Sequence, residues 1–221
     1  MMAKQVFFEA MKCTGLYVIT DSTMAGMSHS SIVKESIKGG ARIIQVRDKE
    51  MADGQLLQEM RQSIKELSDH HMLIVNDRVD VGFLAGAKGI HLGQDDLPVS
   101  EVRCLLGNEA IIGISTHNIK QFEQALGEDV DYIAIGPIYD TATKISSNKP
   151  LGLEYVTTLR AMTDKPLVAI GGITLERASK LWKEGIDAVA VVSDIMKSVD
   201  ISGKIAEYIQ LFTDHCSLTT L

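Results

Sequence analysis

The chain has 221 residues, 45% of them apolar and 23% charged, which suffices for a full buried core and argues against a disordered chain. A net charge of −7 at pH 7 and a pI near 5.4 supply no basic field for nucleic acid or an anionic membrane. Apolar runs stay below the roughly 18 residues that span a bilayer. The Val6-Phe7-Phe8 run, stopped by Glu9, is too short for a secretory core.

Short apolar segments alternate with amphipathic ones along the whole length. Strands are predicted at Leu16–Thr20, Ile43–Arg47, Leu73–Val75, Gly89–Leu92, Ile111–Ser115, Tyr132–Gly136, Leu167–Ile170 and Ala188–Val192. Helices are predicted between them at Ser30–Lys38, Gly54–Ser68, Ile119–Leu126, Glu154–Ala161 and Leu175–Lys183, with Pro98 near the start of another. Asp53 and Thr174 are suited to open helices. Ile205, Tyr208, Ile209 and Phe212 have the spacing of a last helix, and residues 213–221 carry no clear signal.

Eight strand–helix repeats of this size predict an α/β fold, a parallel sheet closed into a single-domain (β/α)8 TIM barrel over residues 1–221. An open doubly wound sheet is the alternative. Against it, Leu16-Tyr17-Val18-Ile19-Thr20-Asp21 runs on without the Gly-x-Gly-x-x-Gly turn that such folds use for dinucleotides. Cys13, Cys104 and Cys216 are widely spaced and odd in number, matching neither a disulfide framework nor a zinc site. The expectation is a soluble, cytoplasmic protein.

A barrel of this kind carries its active site at the carboxyl ends of its strands. After the second strand, Gln45, Arg47 and Lys49 alternate onto one face and form a cradle for a phosphate or diphosphate. Asn76-Asp77 follows the third strand and His91-Leu92-Gly93-Gln94-Asp95-Asp96 the fourth. Asp77 and Asp96 are hard oxygen donors suited to Mg2+, which takes one or two carboxylates plus substrate oxygens. Ser115 ends the fifth strand as a substrate contact. His117, two residues on, lacks an orienting carboxylate at fixed spacing and reads as a backbone-bonded loop residue rather than a general base. The sixth strand opens into the longest loop, 137–151, where Thr141, Thr143 and Lys144 are placed to close on an anion. Gly171-Gly172 after the seventh strand, with Val192 and Ser193 at a helix start after the eighth, are the usual phosphate seat of this barrel.

Together these segments resemble the thiamine phosphate synthase family over Leu16 to about Ile195. The resemblance rests on Tyr17-Val18-Ile19-Thr20-Asp21, Gln45-x-Arg47-x-Lys49, Asn76-Asp77, His91-x-Gly93-Gln94-x-Asp96, Gly136-Pro137-Ile138, Thr141-x-Thr143-Lys144 and Ile170-Gly171-Gly172-Ile173. It implies a barrel transferase joining a hydroxymethylpyrimidine diphosphate to a thiazole phosphate with Mg2+ as cofactor. It further implies that Gln45, Arg47, Lys49, Asn76 and Lys144 hold the pyrimidine diphosphate. Asp77 and Asp96 would bind the metal, and Ser115 would assist the departing diphosphate or the pyrimidine. Thr141 and Thr143 would contact the thiazole phosphate region, and Gly172, Val192 and Ser193 would seat its phosphate. In that reading Arg47, Ser115 and Lys144 carry catalysis, the partners are small molecules, and self-association is left open. Asp194, where the family usually has a small apolar residue, would weaken the thiazole phosphate site if its carboxylate pointed inward. Asp140 stands where proline is common.

Two rivals make different demands on the same residues. A related thiazole tautomerase would need His117 as a general base and has no use for the metal and the cations. A catalytically silent phosphate-metabolite sensor would keep Gly171-Gly172 without needing both aspartates and Lys144.

Overall fold

The computed structural model describes residues 2–141 and 149–219. Eight strands, β1 Leu16–Ile19, β2 Ile43–Val46, β3 Met72–Asn76, β4 Gly89–Leu92, β5 Ile111–Thr116, β6 Tyr132–Ile135, β7 Leu167–Ile170 and β8 Ala188–Val191, pair in parallel in chain order. β1 pairs with both β2 and β8, so the sheet closes into a barrel and the open-sheet alternative is excluded. The strands are rich in Ile, Val and Ala because parallel strands under a helical shell are buried on both faces. Thr20, Arg47, Gly136 and Val192, the last residues of four predicted strands, fall one residue beyond the observed ones, in the segments that follow.

Helices α1 Ala3–Thr14, α2 Ser22–Ala25, α3 His29–Lys38, α4 Asp53–Lys65, α5 Val79–Ala85, α6 Val99–Leu106, α7 Ile119–Leu126, α8 Leu153–Arg160, α9 Leu175–Lys183, α10 Ser193–Met196 and α11 Ile201–Thr219 complete the order. Thr174 occupies the cap position of α9, but its side chain makes no cap hydrogen bond, and Asp53 is the first residue inside α4 rather than its cap. The last helix runs past Phe212 to Thr219, into the segment in which no signal was legible. No helix among the described residues is long and apolar enough to cross a membrane.

Two apolar layers hold the molecule. One lies between the strands and the surrounding helices. The other lies inside the barrel, where Val6, Phe7, Ala10 and Met11 of α1 pack on Tyr17, Ile43, Met72, Ile111, Tyr132 and Ala188. Most of these strand residues are at the amino ends of their strands, so α1 plugs the end opposite the carboxyl mouth. The Val6-Phe7-Phe8 segment is thus part of a stopper, with Phe7 fully buried and its ring centroid 5.1 Å from that of Tyr132.

Gly113 on β5 leaves the space that the Tyr132 ring occupies; a Cβ at that position would overlap the ring. Gly113→Ala therefore forces Tyr132 out of its place. It should lower the unfolding free energy by about 1–3 kcal/mol, the usual cost of overpacking a core. Urea denaturation checks this, with an unchanged slope expected.

Candidate active site

The carboxyl mouth of the barrel opens into a cavity of about 430 Å3. Gln45, Arg47, Lys49, Asn76, Asp77, Asp96, Ser115, Thr141, Gly172, Val192 and Ser193 all line it. Thr143 and Lys144 lie outside the described residues.

The floor is polar and fully bonded. Gln45 Nε2 donates to the Tyr17 hydroxyl at 2.9 Å, and the Tyr17 and Tyr132 hydroxyls meet at 2.7 Å. Tyr132 lies 2.9 Å from His91 Nδ1, and His91 Nε2 lies 2.8 Å from Ser115 Oγ. Burial pushes both phenols well above their ordinary pKa, so they remain neutral hydrogen-bonding groups. Gln45 is only 2% exposed. Its amide therefore sits on the floor, about 6–7 Å along the chain below Arg47, by the rise of an extended strand. That corrects the picture of three side chains abreast: Arg47 and Lys49 are at the rim and Gln45 is a layer deeper. Tyr132 escaped sequence reasoning because nothing local marks a strand tyrosine as part of a floor. Tyr17 and His91 were visible only as letters in motifs, without a role.

At the rim, Lys49 Nζ pairs with Asp77 Oδ2 at 3.0 Å instead of standing apart. Asp77 adopts a left-handed φ of 59°, unusual for a residue other than glycine, and its amide donates to the His91 carbonyl at 2.9 Å. Asp96 Oδ2 accepts the Gly93 amide at 2.6 Å. Burial pushes both carboxyls upward. For Asp77, the hydrogen bond with Asp96 and the Lys49 ammonium outweigh it, and the net shift is downward. For Asp96, burial and the adjacent Asp77 act in the same direction, so its pKa rises. Two carboxylates pressed together in this way fit a hard divalent cation. The described residues hold no group of three or more His, Cys, Asp or Glu able to hold a metal. A cation here would take its remaining ligands from water and substrate oxygens.

Across the barrel the cavity wall itself is backbone and small side chains, with the Arg177 guanidinium behind it donating to the Gly172 carbonyl. Gly171 and Gly172 have φ values of 102° and 63°, which side chains rarely adopt, and a Cβ on Gly171 would come within 2.6 Å of Pro137. Val192 caps α10, and Ser193 is its first residue. Asp194 does not line the cavity. Its carboxylate accepts from the Tyr208 hydroxyl at 2.7 Å and lies 3.8 Å from Lys204 Nζ, both on α11. Asp194 borders a second pocket that it shares with Thr141, Gly172 and Ser193, so the departure from the family pattern lies beside the candidate phosphate seat with its charge engaged by α11. His117 lines the cavity, but its Nδ1 lies 2.6 Å from the Gly136 carbonyl and its amide donates to Gln121 Oε1 at 2.8 Å.

A closed parallel barrel with a polar cavity at its carboxyl mouth defines a (β/α)8-barrel enzyme. The chain belongs to the thiamine monophosphate synthase family, whose model matches residues 16–195. It is 38% identical over 190 residues to the thiamine-phosphate synthase of Chloroflexus aurantiacus, covering 85% of this chain and 87% of that one. It is 40% identical over 200 residues to that of Methanospirillum hungatei, covering 89% and 97%. Among solved structures, a thiamine phosphate pyrophosphorylase from Pyrococcus furiosus superposes with a TM-score of 0.85 at 27% identity, over 94% of this chain and 98% of that one. Like its relatives, the chain is a transferase.

Two tests follow from the rim and from α10. Asp96→Asn removes a like charge beside Asp77. In chelator at neutral pH it should raise the thermal midpoint by about 2–4 °C, and it should abolish any rise produced by Mg2+ in the parent protein. A midpoint that rises equally with Mg2+ in both proteins would remove Asp96 from the ligands. Asp194→Ala leaves the buried Tyr208 hydroxyl without its partner and should cost about 1–3 kcal/mol of stability, read by urea denaturation. Tighter phosphate binding without that loss would mean the carboxylate faces the cavity.

Proposed function

We propose that the chain condenses 4-amino-5-hydroxymethyl-2-methylpyrimidine diphosphate with 4-methyl-5-(2-hydroxyethyl)thiazole phosphate, giving thiamine phosphate and diphosphate. Family membership supports the overall reaction. The observation that carries the details is the division of one cavity between Arg47, Lys49, Asp77 and Asp96 at β2–β4 and the uncharged Gly171–Gly172 and Val192–Ser193 segments at β7–β8. A leaving diphosphate needs positive charge that grows in importance as the bond breaks. A phosphate used as an anchor needs only amides.

In this reading Arg47, Lys49 and Asn76, with Lys144 from the loop, hold the diphosphate. Gln45 on the floor faces the pyrimidine end. Mg2+ held by Asp77 and Asp96 would supply charge neutralisation for the diphosphate. The Ser115 hydroxyl, fixed by His91, donates to the departing oxygen or the pyrimidine. Diphosphate leaves first, and the resulting pyrimidinylmethyl cation is stabilised by its own ring amino group. Gly172, Val192 and Ser193 seat the thiazole phosphate, and Thr141 and Thr143 bear on it from the loop, so that the thiazole nitrogen meets the cation. That nitrogen has a free lone pair and needs no strong base. His117 Nδ1 donates to the Gly136 carbonyl, which leaves Nε2 with its lone pair, so this contact does not separate the two readings. What favours the synthase over a tautomerase is the set of Arg47, Lys49, Asp77 and Asp96, for which an isomerase has no leaving group.

Incubation with both substrates should release diphosphate only when Mg2+ is present. Folded protein that releases none would favour the tautomerase or the sensor. Arg47→Ala should lower turnover by about 100- to 1000-fold, the scale of removing one donor from developing charge. Calorimetry should find thiazole phosphate affinity within about twofold of the parent. Equal losses in both measurements would contradict two separate anion sites.

A further inference from the structure

Asp48 sits between the two rim cations but does not line the cavity. Its Oδ1 accepts the backbone amides of Glu50 at 2.9 Å and Met51 at 2.8 Å. Its Oδ2 faces His29 Nε2 at 3.0 Å and accepts from Ser22 Oγ at 3.3 Å. His29, in the first turn of α3, is fully buried, and its Nδ1 lies 2.7 Å from Thr20 Oγ1. Thr20, just past β1, accepts the Arg47 amide at 3.3 Å on that same oxygen, and its own amide donates to the Gln45 carbonyl at 2.9 Å.

The chemistry of the partners fixes the direction of this chain. Burial pushes the Asp48 carboxyl up, but the hydrogen bonds from His29 and the two amides outweigh it and hold it below the usual carboxylate range. An ionised carboxylate only accepts, so Nε2 carries the ring proton. Neutral Nδ1 then accepts from the Thr20 hydroxyl, whose oxygen in turn accepts from the Arg47 amide. Both ring nitrogens and the Thr20 hydroxyl are satisfied.

We propose that His29 and Asp48 are positioning residues that lock the 47–49 segment, aiming Arg47 and Lys49 into the cavity from behind. The order Thr20–His29–Asp48 is that of a nucleophile, base and orienting acid. Neither His29 nor Asp48 reaches the cavity, however, and the Thr20 oxygen is already committed to a backbone amide. A positioning role accounts for all of these facts. The segment needs such a tie because β2 ends at Val46 and Lys49 stands more than half exposed. Without it, two cations on a surface loop would sample many arrangements, and a displacement of about 1 Å costs up to a hundredfold in rate. The inference rests on the assignment of Arg47 and Lys49 to the diphosphate.

The test compares His29→Leu, His29→Gln and Asp48→Asn with the parent chain. His29→Leu should raise KM for the pyrimidine diphosphate about tenfold and lower kcat, leaving KM for the thiazole phosphate unchanged. His29→Gln keeps a donor toward Asp48 and an acceptor toward Thr20, and it should recover most of the loss. Asp48→Asn removes only the ionised acceptor and should behave like His29→Leu; it decides the matter if the leucine variant fails to fold. Calorimetry with inorganic diphosphate and Mg2+ reads the cations without turnover, and affinity should fall about tenfold in the two disruptive variants. A parent protein that bound diphosphate but formed no thiamine phosphate would sink the reaction assignment and leave this inference standing. Equal KM changes for both substrates, no glutamine rescue, or unchanged diphosphate affinity in a folded variant would overturn the inference.

Discussion

The hydrogen bond between the Tyr17 and Tyr132 hydroxyls, 2.7 Å across the inside of the barrel, is the constraint on which the rest of the molecule depends. Below it, α1 and the amino ends of the strands form a dry plug; above it lies a cavity rich in charge. A buried hydroxyl left unpaired costs about 1–3 kcal/mol. Each phenol therefore needs a further partner, and Gln45 and His91 provide them. Gly113 leaves the space for the Tyr132 ring. Residues on β1, β2, β4, β5 and β6 thus determine one another's positions. The outcome is a level floor with Ser115 and Gln45 held at defined heights.

This interdependence explains what could be read from the chain and what could not. The strands were legible because runs such as Ile43-Ile44 and Ala188-Val189-Ala190-Val191 are apolar without alternation, as double-sided burial requires. Their count predicted closure. The rim residues were legible because they follow strands whose ends are marked by a change from apolar to polar. The floor was not, since Gln45, Tyr17, Tyr132, His91 and Ser115 are brought together by the register of parallel strands and by no local pattern. The α1 helix is masked by the short apolar run Val6-Phe7-Phe8, although Val6, Phe7, Ala10 and Met11 have the spacing of one helical face. The direction of Asp194 depends on Tyr208, fourteen residues away on another helix, and no motif encodes it.

Strand alternation predicts that Asp48 faces away from Arg47 and Lys49, and it does. What alternation leaves open is the partner. His29 comes from the preceding helix, α3, and is buried without a local signal, so the residue proposed to steady the cations is harder to see than the cations themselves.

Charge balance ties rim and floor into one device. In a chain of net charge −7, Lys49 is paired with Asp77, and Asp77 in turn adjoins Asp96. Under the proposed reaction a divalent cation would satisfy the two carboxylates and release Lys49 from Asp77 to face the diphosphate beside Arg47. Each arriving charge would then meet its opposite, and neither the metal nor the diphosphate would be accommodated as well alone. The β7–β8 side undergoes no such exchange. Gly171, Gly172 and Ser193 present backbone and small side chains backed by Arg177 whatever occupies the rim, so an anchor phosphate there would bind with little dependence on metal, while the leaving group at β2–β4 would depend on it strongly. Under the proposed reaction, the physical distinction between the two ends would be that one meets a charge that grows as the bond breaks and the other holds a charge that stays constant.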